Sequence, residues 1–366
     1  MTTTLLVASR KGLFTVEGGG GQWRCSQPHV AGDAVSQVLV DPRDGAWYAA
    51  LRLGHFGVKL RRSTDRGASW TEVAAPAFPA KPTTGPWVDD PTPWSVDLIW
   101  ALAAGGTDEP DVLWAGCLPA GLFRSGDGGQ SWQLVQSLWE DERRREWFGG
   151  GYDHAGIHSV LVDPRDARHV TVGISCGGVW QTHDAGATWT VTSEGLRADF
   201  MPEERAFDPN IQDPHGVAQC TAQPDHLWLQ HHCGLYRSTD GGQHWLPIPA
   251  PAPSGFGFAV VADPQRPERA WFVPAQADAC RFPVDGRLVV NRTDDGGQTF
   301  TSFGEGLPQA DAYDLVYRHA LVVTPDGGTL AMASTTGSLW ISEDAGERWQ
   351  LVNAHLPPVA ALAWAA

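Results

Sequence analysis

Apolar residues in this chain come in short runs broken by turn residues, and the runs differ in character along each stretch of roughly fifty residues. Val35-Ser-Gln-Val-Leu-Val40 is followed by a polar break at Asp41-Pro-Arg-Asp44. Ala46-Trp-Tyr-Ala-Ala-Leu51 is then continuously apolar, and Val58-Lys-Leu-Arg-Arg62 alternates. Runs this short, bounded by Pro, Gly and Asp, predict strands and not helices. A continuous run predicts a strand buried on both faces, and an alternating one a strand with a wet face. The Asp-Pro break recurs at Asp163-Pro-Arg-Asp166 and Asp263-Pro264, with Thr324-Pro-Asp-Gly327 as a variant, and pins the turn after each inner strand.

A second break is more regular. It reads Ser63-Thr-Asp65-Arg-Gly67-Ala-Ser-Trp70, Ser125-Gly-Asp127-Gly-Gly129-Gln-Ser-Trp132 and Thr182-His-Asp184-Ala-Gly186-Ala-Thr-Trp189. It returns as Ser238-Thr-Asp240-Gly-Gly242-Gln-His-Trp245, Thr293-Asp-Asp295-Gly-Gly297-Gln-Thr-Phe300 and Ser342-Glu-Asp344-Ala-Gly346-Glu-Arg-Trp349. A worn seventh copy, Val16-Glu-Gly18-Gly-Gly20-Gly-Gln-Trp23, keeps the Gly and the Trp. Successive closing aromatics lie 47, 62, 57, 56, 55 and 49 residues apart. A period near fifty is that of a four-stranded propeller blade. The residue types suit a tight turn: Asp accepts bonds from its own loop amides, Gly takes positive φ, and the Trp covers the sheet below.

These repeats resemble the Asp-box, or bacterial neuraminidase repeat, of the sialidase-like propellers, and the likeness runs over nearly the whole chain. The resemblance implies that the box is a structural turn on the face away from any active site. It does not extend to sialidase chemistry. The early Phe/Tyr-Arg-Ile-Pro motif of true sialidases is matched only by Cys280-Arg-Phe-Pro283, in the sixth blade.

The expected fold is all-β: one seven-bladed propeller domain over residues 1–366. Its blades span 359–366 with 4–25, then 35–73, 95–135, 156–192, 215–248, 256–303 and 313–352. Val359-Ala-Ala-Leu-Ala-Trp364 reads as an inner strand with nothing after it, and Leu5-Leu-Val-Ala8 opens a blade that lacks one. Pairing the two closes the ring and leaves no exposed edge. Segments 136–155 and 193–214 are long connections on the loop-rich face. Within the first, Trp139-Glu-Asp-Glu-Arg-Arg-Arg-Glu-Trp147 reads as a short amphipathic lid with a solvated charge run.

Composition narrows the partners. A formal charge of −16 excludes nucleic acid and anionic membrane, both of which demand basic surfaces. The six cysteines show no paired spacing and suit a reducing compartment, and no secretory leader is evident, so the expected location is cytoplasmic.

Topology sorts the candidate chemistry. With the boxes on one face, His154, His215, His231 and His232 fall on the other and form the candidate ligand set for zinc or manganese. Asp153, His158 and Tyr313 are the candidate catalytic groups, since histidine titrates near neutral pH. Arg10, Lys11, Arg52, His55 and Arg281 could grip a carboxylate, with Trp94 and Trp147 as walls. The expected function is a glycoside-hydrolase-like or lyase-like enzyme acting on a small polar or anionic saccharide, with a metal. The alternative is a non-catalytic binding or assembly scaffold with a protein partner.

Overall fold

A computed structural model describes residues 3–365; residues 1, 2 and 366, at the ends of the expected domain, lie outside the described residues. The chain is an all-β seven-bladed propeller, each blade a four-stranded antiparallel sheet. Six sheets run in chain order: residues 35–73, 98–134, 157–191, 214–248, 257–303 and 321–353. The remaining sheet draws on both termini. Its inner strand Val359–Ala365 pairs antiparallel with Thr3–Ser9, Leu5 opposite Trp364 and Val7 opposite Leu362, as the unmatched apolar runs require.

By internal contact the chain divides into two compact units. One comprises Met1–Val38, Glu194–Phe207 and His215–Ala366; the other comprises Leu39–Ser193 and Asp208–Pro214. One boundary falls inside the strand Pro214–Gln219, whose residues are continuous with Asp213. Each unit has its own apolar interior. In the second unit Trp114, Ile157, Val172 and Trp180 pack together; in the first, Ala259, Trp271, Val290, Leu330 and Trp340 do the same.

The repeated turn has one geometry in all six copies. The Ser or Thr hydroxyl donates to the Asp Oδ1 and accepts the amide of the Gly four residues after it, at 2.8–2.9 Å. The Asp Oδ1 also accepts the amide four residues further on, at 2.8–3.1 Å. That closure needs the Gly at φ 84–93°, a region costly for any residue with a Cβ. Asp41, Asp163 and Asp263 do comparable work at the inner turn, each accepting the amide two residues on.

The inner strand of the 321–353 blade starts at Leu321, where the apolar pattern predicts a start near Tyr313. Leu315 and Val316 are buried as a strand would have them. Their segment does not join the ladder because its carbonyls serve other partners: Leu315 O accepts from Thr335 N, and His319 O from Leu362 N.

Hydrogen bonds from Ser69, Ser131 and Thr188 hold Asp65, Asp127 and Asp184 at about 2, below the ordinary 3.8. A depressed carboxylate pKa contributes stability that is complete above the unfolded value and is lost as pH falls through the folded one. Replacing all three by Asn should lower the melting temperature at pH 7 and flatten its decline between about pH 4 and pH 2. Thermal scans across that range check it; an unchanged acid limb would show that the turns do not govern acid stability.

Candidate functional site

The two ends of each blade differ in what they carry. One end holds the inner turns and the repeated Asp turns, all short. The other holds the loops between second and third strands and the connections to the next blade. Among the described residues six Phe or Tyr side chains are exposed, between 37% and 77%: Phe56, Phe148, Tyr152, Phe200, Phe207 and Tyr313. All six lie on the second kind of loop, and none on an Asp turn. Each unit carries three of them, Phe56, Phe148 and Tyr152 in one and Phe200, Phe207 and Tyr313 in the other, and exposed rings on such loops mark a surface that meets a ligand.

Within the second unit the connection to the 157–191 blade is built on arginines. Gln136–Trp139 forms one helical turn and Glu142–Glu146 a 3-10 turn capped by Asp141, whose carboxylate accepts the Arg143 amide. The charge run expected to be solvated is in part buried. Arg144 pairs with Asp90 at 2.5 Å and lies between Trp139 and Trp87, its guanidinium carbon 3.9 and 4.4 Å from the ring centroids. Arg143 stands 4.4 Å over Trp180, and Arg145 lies 4.2 Å over Trp87 and donates to the Pro86 carbonyl. A run of like charges reads as solvent-facing only when no acceptor is known. Here Asp90, Trp87 and Trp180, distant in sequence, supply partners.

Past this clamp the chain presents Phe148 and Tyr152. Tyr152 meets Trp100 edge-on at 5.3 Å, and Arg52 lies 6.0 Å from its centroid while pairing with Asp97 at 2.6 Å. His158 is fully buried beneath Trp100. A carbonyl can only accept, so the 2.7 Å contact to Pro214 O places the proton on Nε2, and Nδ1 faces the Ser159 hydroxyl at 3.0 Å. Asp153 is exposed and His154 half-buried. Trp94 donates to Asp90 and meets Trp139 edge-on, and Trp147 donates to Asn210 and abuts Trp180. These contacts tie both indoles to the framework of the loop.

Within the first unit His215 stacks on Phe258 at 4.5 Å and 12°, with His232 at 5.2 Å and Phe256 at 5.6 Å edge-on. Phe200 packs against His232 at 5.1 Å. His215 Nδ1 lies 2.7 Å from Gly257 O, so that nitrogen carries the proton. Asp213, two residues before His215, belongs to the second unit, where its carboxylate accepts from the Ser175 hydroxyl and the Cys176 amide. His231 is fully buried, takes the Cys233 amide on Nδ1 and packs on Tyr236. Arg281 pairs with Asp278 and lies 5.4 Å over Phe258; Tyr313 meets Phe282. Arg10, Lys11 and His55 are exposed at loop tips, His55 beside Phe56.

The aromatic residues Phe56, Trp100, Phe148, Tyr152, Phe200 and Phe207 were not singled out in the sequence. Trp100 lies in the strand Leu98–Ala104, and the other five sit in connections outside any alternating run, where no periodicity marks them.

No family model matches the chain. Xyloglucanase Xgh74A of Acetivibrio thermocellus is 25% identical over 232 residues, 58% of this chain and 25% of its own length. The oligoxyloglucan-reducing end-specific xyloglucanase of Emericella nidulans is 35% identical over 80 residues, 22% of this chain and 9% of its own. The chain thus spans about a quarter or less of these curated relatives. In structure it is similar to the GH74 xyloglucanase of Xanthomonas campestris, TM-score 0.64 at 18% identity, over 96% of this chain and 52% of that one. It also resembles YCF48 from Cyanidioschyzon merolae, TM-score 0.54 at 12% identity, over 88% and 87%. At these identities the structural likeness speaks for the fold.

The arginine clamp sets a quantitative expectation. Arg144→Ala leaves Asp90 buried without its cation, which should lower unfolding stability by about 3–5 kcal/mol. Urea denaturation followed by tryptophan fluorescence measures this; a loss below about 1 kcal/mol would mean that the loop is held by other contacts.

Proposed function

We propose that this propeller binds a β-glucan chain of the xyloglucan type and acts on it as a glycoside hydrolase. The observation that supports the reading is the placement of all six exposed Phe and Tyr rings on loops at the blade ends opposite the Asp turns. Pyranose rings expose flat C–H faces, and aromatic rings cover such faces at small cost in side-chain entropy. Among the relatives of this chain, those named above by activity are xyloglucanases.

Tyr152 is the central contact in this reading. Trp100 fixes its ring, and Arg52 with Asp97 supplies donors and acceptors for sugar hydroxyls beside it. Hydrolysis of a glycosidic bond takes two carboxyl groups, one to protonate the leaving oxygen and one to assist the nucleophile. Asp153, exposed next to Tyr152, and Asp97, steadied by Arg52, are the carboxylates that the same loops offer for these duties. Asp97, whose carboxylate is held by Arg52 at 2.6 Å, is assigned the base role, and Asp153, which stands exposed, the acid role.

Calorimetric titration with xyloglucan oligosaccharides tests binding, and reducing-sugar release tests turnover. Tyr152→Ala should weaken binding at least tenfold, about 1.4 kcal/mol. Asp153→Asn should abolish turnover while leaving binding in place. Undiminished binding by Tyr152→Ala, or no binding of any β-glucan by the intact protein, would overturn the reading.

A further inference from the structure

We infer that Arg281 and Arg318, gathered on the ring of Phe258, form a binding site for a small organic anion that carries its carboxylate on a ring. All the residues concerned belong to the unit that includes 215–366. The two guanidinium carbons lie 5.4 and 5.3 Å from the Phe258 centroid. Phe258 is buried, with His215 stacked on it and Phe256 and Tyr317 meeting it edge-on at 5.4 and 5.2 Å. Stretches distant in sequence bring these groups together. Phe258 opens the inner strand Gly257–Ala262, Arg281 comes from the connection after Ala270–Pro274, and Arg318 precedes the inner strand Leu321–Val323. Both arginines therefore stand at the loop-bearing ends of adjacent blades, away from the Asp turns.

Two cations held against one ring repel each other, and an anion that meets both forks relieves the repulsion. Asp278 does part of this for Arg281, its Oδ1 accepting from Nη2 at 2.5 Å and from Nε at 3.1 Å. A guanidinium carries N–H donors on all three nitrogens, so Nη1 remains for an incoming acceptor, and the Tyr317 hydroxyl faces the same guanidinium. The side chain of Arg281 is 34% exposed, which gives a ligand access from solvent.

The aromatic groups decide which anion fits. A planar carboxylate matches a guanidinium fork bidentately, and the ring that carries it can lie against Phe256 and Tyr317. Phosphate is more strongly hydrated and has no apolar face for those rings to cover. The chain's formal charge of −16 repels anions at long range, so the attraction has to be local, and paired arginines supply it. The inference is separate from the saccharide reading, which rests on Tyr152 in the other unit.

Calorimetric titration of the full chain at low ionic strength tests it, with sodium benzoate and sodium glucuronate as probes and glucose and sodium phosphate as controls. One equivalent of at least one carboxylate should bind, with glucose and phosphate at least tenfold weaker. Tighter binding of benzoate would support the site as one for aromatic acids, and tighter binding of glucuronate as one for acidic sugars. Arg281→Gln and Arg318→Gln should each weaken binding at least tenfold, and Arg281→Lys, which keeps the charge and loses the fork, should weaken it as well. Arg266→Gln, exposed at the inner-turn end of the same blade, should leave binding intact. Arg281 lies on a partly exposed loop, so its variants keep the test decisive if Arg318→Gln fails to fold; melting temperatures report which variants fold. No binding of either carboxylate by the wild type, phosphate bound as tightly, or undiminished affinity in Arg281→Gln would overturn the site.

Discussion

A single hydroxyl closes one end of six blades. It donates to an aspartate two residues on and accepts a glycine amide four residues on, and the aspartate then accepts the amide of the residue two before the outer strand. The strand ladders depend on this closure, since it fixes where the outer strand begins and which face its Trp or Phe meets. Ser63, Ser125, Thr182, Ser238, Thr293 and Ser342 hold the same place in it. A turn whose polar groups are all committed to one another has none to spare for a ligand. Chain length and chemistry therefore vary at the opposite end of the blades.

That asymmetry accounts for the polar and aromatic features of the molecule. At the constrained end, carboxylates accept from their own loops and stay short-tethered. At the other, a buried Arg144–Asp90 pair between two indoles anchors a long connection, and beyond the anchor the chain can expose Phe148 and Tyr152. The same division of labour recurs in the other unit, where Gly257 and Phe258 at the start of an inner strand orient His215 while Phe200 and Phe207 reach solvent. Rigid strands supply the positioning, and loops supply the contacts.

The fold was legible because its signals are local. Asp and Gly at fixed offsets, apolar runs of strand length, and the unmatched run Val359–Trp364 each speak through near neighbours, and the pairing of that last strand with Thr3–Ser9 follows from counting strands. The site was less legible. Arg143, Arg144 and Arg145 read as a solvated run because Asp90, Trp87 and Trp180 are distant in sequence. Trp94 and Trp147 read as pocket walls, yet their indole N–H groups are spent on Asp90 and Asn210. The burial of His231 beside the half-burial of His232 is a matter of strand end against turn, which a His-His pair does not reveal. Tyr152 and Phe200 carry no periodic neighbours, so no pattern marked them.

Hydrogen–deuterium exchange of the full chain, with and without saturating xyloglucan oligosaccharide, most directly tests whether one end of the blades carries the function. The account predicts slowed exchange in residues 54–57, 148–156 and 194–213, with the amides of Gly67, Gly129, Gly186, Gly242, Gly297 and Gly346 unchanged. Protection centred on those glycine turns, or none anywhere at saturation, would contradict it.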